Sequence, residues 1–133
     1  MNFSLYVAAA LGGALGTMIR YAAAQSSWRT WFGYEATAAA FPWPTFTVNI
    51  VGALAIGLLW NSQFTESWPQ FWRVAVFTGL LGGLTTFSTF MLDFGTLVRD
   101  DVSRVAILYL ISSIIFGLLA VFAGFWIGAK WFS

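Results

Sequence analysis

The chain has 133 residues, the size of one domain, and 59% of them are hydrophobic while only 8% are charged; soluble domains carry about 25% charge. That balance marks a membrane protein, and a formal net charge of +1 leaves no basic footprint for nucleic acid. The chain contains no Cys and no His, which removes disulfides, thiolate nucleophiles and the usual proton shuttle and metal ligand, so no enzyme is expected.

Met1-Asn2-Phe3-Ser4 lacks the basic start of a signal peptide. The apolar run behind it continues past signal length without a convincing cleavage site. It reads as a retained first span over about residues 3–24, since a helix needs roughly 20 apolar residues to cross a bilayer. Gly12 and Gly16, and Gly13 and Thr17, lie four apart, a spacing that lets helix backbones approach closely. Arg20 near the end of this span has two readings: it snorkels to the interface, or it pairs with a carboxylate or with carbonyl ends inside the bundle.

Residues 25–44 form a connection with Trp28, Arg29, Trp31, Glu35, Pro42 and Pro44, part of it expected along the membrane surface because Trp favours the interface. The second span covers about residues 45–62. Asn49 is the one strongly polar side chain over residues 45–60, either a hydrogen-bonding partner for a neighbouring helix or a functional group.

The third span, about residues 72–98, is the unusual one. Gly79-Leu80-Leu81-Gly82-Gly83-Leu84-Thr85-Thr86-Phe87-Ser88-Thr89-Phe90 puts glycines and then hydroxyl residues at its centre, so a helix broken near its middle is expected. A break frees backbone carbonyls and N–H groups, tolerated in a membrane only beside protein or a polar cavity, and such breaks recur where transporters hold ions. After it, Phe87 and Phe90 share one helix face and Thr86, Thr89 and Asp93 a neighbouring stripe. The edge of a Phe ring is electropositive, so rings turned edge-on to a polar path suit an anion, while plain packing is the other reading.

A charged turn, Arg99-Asp100-Asp101-Val102-Ser103-Arg104, leads into a fourth span over about residues 103–130, with Lys130 and Trp131 as interface anchors. Tyr109, Ser113 and Gly117 lie four apart on it. Their hydroxyls either face a pore or bond between helices.

The expected fold is an all-α membrane protein, one transmembrane domain over residues 1–133 with four helices and the third broken at its centre. Four such helices do not easily enclose a pore and shield it from lipid, so an oligomer is expected. Arg73 and Lys130 fall on one side of the membrane, Arg29, Arg99 and Arg104 on the other. The positive-inside rule then gives only a weak instruction, compatible with insertion both ways up. Asn49, Thr85, Thr86, Ser88, Thr89, Tyr109 and Ser113 are neutral, and Asp93 is the nearest carboxylate. Such a lining suits a small anion or small polar solute better than a cation.

Three ordered motifs carry a resemblance along nearly the whole chain. They are Gly12-Gly13-Ala14-Leu15-Gly16 with Arg20-Tyr21, Thr45-Phe46-Thr47-Val48-Asn49-Ile50-Val51-Gly52, and Gly82-Gly83-Leu84-Thr85-Thr86-Phe87-Ser88-Thr89-Phe90. Together they resemble the fluoride-channel family known as Fluc or CrcB. The resemblance implies passive export of toxic fluoride by a fluoride-specific channel of the inner membrane, built as an antiparallel, dual-topology homodimer with two pores. It implies a fluoride pore with Asn49, Phe87 and Phe90, and with Thr89, Tyr109 and Ser113 as polar pore-side residues. It also implies a structural sodium ion on the dimer axis, held by the backbone carbonyls of Gly82 and Thr85. Met91, Asp93 and Gly117 depart from the family pattern, which has Ser, Glu and a hydroxyl there. A small multidrug exporter would need a Glu in the first span, and residues 3–24 hold none. A purely structural assembly subunit would explain the glycines but not the Asn, Phe and hydroxyl set.

Overall fold

Among the described residues, four stretches are helical, long and apolar enough to cross a membrane: Phe3–Gln25, Trp43–Trp60, Gln70–Arg99 and Ser103–Lys130. A computed structural model of the protein describes residues 2–25, 41–60 and 62–131; the connection carrying Trp28, Arg29, Trp31 and Glu35 lies outside the described residues. The elements are α1 (Phe3–Gln25), α2 (Trp43–Trp60), α3 (Gln63–Glu66), α4 (Gln70–Arg73), a π-helical segment (Val74–Leu81), α5 (Gly82–Leu84), α6 (Phe87–Arg99) and α7 (Ser103–Trp131). At 1.5 Å per residue the 18 residues of α2 reach about 27 Å, close to the hydrocarbon thickness of a bilayer.

The third span is a bent element with two arms. The first runs without interruption from Gln70 through the π-helical segment to Leu84, and the second is α6. Gly82 itself is helical (φ −66°, ψ −33°). The interruption falls at Thr85 and Thr86, both extended, with φ of −83° and −151°. The glycines expected to break the helix thus stay inside it, and the hydroxyl residues after them form the break. The π-helical turns were not legible in the sequence; eight residues of this wider winding exceed the single turn in which it usually occurs.

Small residues set the packing. The first arm lies along α1 and α2 lies along α7. A Cβ at Gly12 would sit 1.9 Å from the Ala75 carbonyl oxygen, and one at Gly57 2.3 Å from that of Val121. Both contacts are backbone against backbone, the close approach that small residues permit in a membrane. Between α6 and α7 the packing is by bulk: Phe90, Leu97, Ala106 and Tyr109 are buried together, with Phe41 and Phe46 against them. The turn between these helices holds Asp101 at φ 59°, a left-handed position that Asp tolerates better than most residues. The outward faces are apolar: Leu108, Ile111, Ile115, Leu119 and Phe122 of α7 are all exposed. That surface requires lipid or another subunit against it.

Candidate functional site

The break is held open by side chains from other parts of the chain. Asn49 reaches it from α2, across 37 positions of sequence. Its Nδ2 donates to the Thr86 carbonyl at 3.1 Å, and its Oδ1 accepts the Thr86 N–H at 2.8 Å. This two-point contact fixes the orientation of the amide, because only the oxygen can accept from an N–H. One Nδ2 hydrogen remains for a further acceptor. Arg20 reaches the break from α1: its Nε donates to the Gly83 carbonyl at 3.1 Å. A cation at the C-terminal end of the first arm also complements the negative end of that arm's dipole. Of the two readings of Arg20, the structure selects pairing with carbonyl ends inside the bundle.

Thr86 restarts the helix. Its Oγ1 accepts the Thr89 N–H at 3.2 Å, an N-cap bond that satisfies one of the unpaired donors in the first turn of α6. The same hydroxyl donates to Thr89 Oγ1 at 3.1 Å and lies 3.3 Å from Ser88 Oγ. On the other side of the break, the Leu81 carbonyl accepts both the Thr85 N–H at 3.0 Å and the Thr85 hydroxyl at 2.9 Å.

Two cavities meet at Thr86. One is a wide cleft of about 650 Å³ bordered by Asn49, Thr85, Thr86, Phe87, Phe90 and Ser113, with Gly82 at its edge. No charged side chain lines it among the described residues. Ser113 borders this cleft, and its Oγ is buried with no hydrogen-bond partner among the described residues. The ring centroids of Phe87 and Phe90 are 6.1 Å apart and tilted by 56°. Phe90 is 7% exposed, whereas Phe87 is 74% exposed on the open side of the cleft. The second cavity, about 160 Å³, is bordered by Thr17, Arg20, Thr45, Thr86 and Thr89.

Residues 7–125 match the family described as CrcB-like protein, Camphor Resistance (CrcB). A protein of Ligilactobacillus salivarius curated as fluoride-specific ion channel FluC 1 is 40% identical over 119 residues, 90% of this chain and 95% of its own length. Proteins named fluoride-specific ion channel FluC from Methylobacillus flagellatus and Hyphomonas neptunium are 42% and 38% identical. They align over 87% and 100% of this chain, and 88% and 100% of their own lengths. The chain belongs to the CrcB family. The matched region contains Arg20, Asn49, the whole break and Ser113.

Within this family member, the residues singled out from sequence divide into three places. Asn49, Phe87, Phe90 and Ser113 line the wide cleft, together with Gly82 and Thr85. Thr89 lines the Arg20 cavity instead. Tyr109 is fully buried, its ring edge-on to Phe90 and Phe41 at centroid distances of 5.0 and 5.3 Å. Its hydroxyl donates to Asp93 Oδ2 at 3.3 Å, with the Thr45 side chain also against this pair. In the sequence Thr86 reads as part of a hydroxyl stripe and a neutral lining but not as a helix cap, the role it has in the structure. The signal was present, since a Thr directly before a helical run is an N-cap signature. Thr45 and its place beside Asp93 carried no sequence signal, because the two come together only through packing of α2 on α6.

Proposed function

We propose that the protein is a fluoride-specific channel that lets the ion leave the cell passively across the inner membrane and so lowers its toxicity. The family and its curated relatives support fluoride as the permeant ion, and the observation that carries the site is the Asn49–Ser113 cleft. An anion entering a narrow path loses water, and each lost contact needs a replacement donor. The cleft supplies neutral ones: the second Nδ2 hydrogen of Asn49, the unpartnered hydroxyl of Ser113 and the electropositive edges of the Phe87 and Phe90 rings. Among the described residues the lining holds no carboxylate, so no charged side chain there competes with the anion by drawing in a cation. Thr89 and Tyr109 belong to the same polar route as flanking groups. Thr89 opens towards the Arg20 cavity, and Tyr109 holds Phe90 edge-on while its own hydroxyl is tied to Asp93.

In this reading the single transmembrane domain, residues 1–133, functions as an antiparallel homodimer with two pores. The cleft is open and Phe87 is exposed on its rim, so one copy alone does not enclose a path; a second copy supplies the missing wall. The weak charge bias between the two sides supports opposite insertion of the two copies. A sodium ion on the dimer axis is held by the carbonyls of Gly82 and Thr85. The donor set fits it: neutral backbone oxygens at and just past the C-terminal end of a broken helix arm, in residues that border the cleft, are the chemistry that holds alkali cations inside membranes. When bound, that ion neutralises the carbonyl dipoles that the two copies point at each other.

Expression in a fluoride-hypersensitive bacterial strain tests the function. The channel reading expects restored growth on fluoride and no protection against cationic dyes. Protection against the dyes without rescue on fluoride contradicts it and favours a multidrug exporter.

A further inference from the structure

In an unbroken α-helix each N–H donates to the carbonyl four residues earlier. By that rule the Thr86 N–H belongs to the Gly82 carbonyl, and the Thr89 N–H belongs to the Thr85 carbonyl. Neither bond is made. The Thr86 N–H goes to Asn49 Oδ1 at 2.8 Å, and the Thr89 N–H goes to Thr86 Oγ1 at 3.2 Å. Nearby carbonyls do have donors from the protein: Leu81 accepts from Thr85, Gly83 from Arg20 and Thr86 from Asn49. The carbonyls of residues 82–85 all lose their helical donors at the break; Gly83 takes Arg20 in exchange, and Gly82 and Thr85, the two assigned to the cation, lose theirs to Asn49 and to the Thr86 hydroxyl.

The geometry points to Asn49 and Thr86 as positioning residues for the axial cation: each side chain captures the N–H that would otherwise occupy one of the coordinating carbonyls. This rests on the sodium reading above and adds to it a link between the fluoride path and the cation site. Asn49 serves both at once. Its Nδ2 faces the anion cleft, while its Oδ1 keeps the Gly82 carbonyl free. The bland alternative is that both side chains merely splint the break. That alternative makes a different prediction, because a splint contributes stability whether or not sodium is present.

The test is thermal unfolding of the purified dimer in detergent, with sodium titrated against N-methyl-D-glucamine at constant ionic strength. A cation bound only by the folded state raises the melting temperature as its concentration rises. The half-saturating sodium concentration is read for the parent, Asn49→Ala, Thr86→Ala and Thr86→Ser. Loss of a group that positions metal ligands costs about 10–100-fold in affinity, so Asn49→Ala and Thr86→Ala should raise the midpoint by at least about tenfold. Thr86→Ser keeps the capping hydroxyl and should restore a midpoint close to that of the parent. Ser62→Ala removes an N-cap bond far from the break, that to the Phe64 N–H, and should lower the melting temperature without moving the sodium midpoint. If Asn49→Ala yields no dimer, the Thr86→Ala and Thr86→Ser pair decides. Dimeric Asn49→Ala and Thr86→Ala with the parent's midpoint overturn the inference and leave the cation reading standing. A parent insensitive to sodium overturns the cation reading, and this inference with it.

Discussion

Ser113 separates a pore role from a packing role better than any other single residue. Its hydroxyl is buried without a partner, so removing it breaks no bond within the chain, and Ser113→Ala should leave the melting temperature unchanged or slightly raised. If the hydroxyl donates to fluoride in transit, the same variant loses a hydrogen bond to an ion, worth about 1.5–3 kcal/mol. Flux should then fall by about tenfold or more, since about 1.4 kcal/mol is one decade. Equal flux in a well-folded Ser113→Ala protein would move the path away from this wall. Arg20 is the opposite case. Its bond to the Gly83 carbonyl is a charge-assisted contact within the chain, so Arg20→Leu should lower stability by about 1.5–3 kcal/mol, measured as the shift in melting temperature of the dimer. The sequence left Arg20 and Asn49 each with two readings, and the reason is physical. The partner of Arg20 is 63 positions away and that of Asn49 is 37. A polar residue in an apolar span announces that it needs a partner, but its neighbours in sequence do not say which. For Asn49 the structure shows the bonding reading, since Oδ1 and one Nδ2 hydrogen clamp Thr86; the remaining hydrogen is the one the proposed pore role uses.

At the scale of elements, the four helices and the bend in the third were legible because apolar run length and composition decide them, and both are local properties. The position of the break was legible only to within a turn. Gly82 and Gly83 have low helix propensity, yet both are helical; Gly83 serves close packing, since a Cβ there would lie 2.6 Å from the Gly13 carbonyl oxygen, whereas one at Gly82 would meet only the Phe77 carbonyl oxygen at 3.8 Å. The interruption comes at Thr85 and Thr86 because Asn49 and the Thr86 cap offer the backbone better partners there. The π-helical segment lies along α1, and no local feature of its own sequence announces its wider winding. These contacts predict a graded response to Ala. Gly12→Ala drives a Cβ into the Ala75 backbone and should prevent formation of a stable dimer, read by size-exclusion chromatography and melting. Gly95→Ala meets nothing within 4 Å and should hold or raise stability, by up to about 1 kcal/mol, because it replaces Gly within a helix. A similar loss in both variants would mean that helix propensity, not backbone approach, controls these sites.

At the scale of the molecule, two features support the proposal that one copy is incomplete. The wide cleft is open with Phe87 on its rim, and much of the apolar surface of the four spans is exposed. Lipid satisfies the second feature but not the first, because a path for a hydrated anion needs protein on every side. The small difference in basic residues between the two sides is compatible with the proposed opposite insertion of two copies. Adding several Lys to the loop over residues 62–70 should therefore force one orientation. Expressed alone, that variant should lose most fluoride export, and co-expression with a variant biased the other way should restore it. Full activity from a uniformly oriented population would contradict the antiparallel arrangement. The central claim, that the Asn49–Ser113 cleft conducts fluoride, is tested most directly by ion efflux from vesicles containing purified protein. A fluoride electrode and a chloride electrode would be read in parallel for the parent and for Asn49→Ala. The account predicts rapid fluoride efflux from the parent, no chloride efflux above protein-free vesicles, and strongly reduced fluoride efflux from Asn49→Ala reconstituted as a dimer. Chloride efflux matching that of fluoride, or an Asn49→Ala dimer that conducts fluoride at the parent rate, would contradict it.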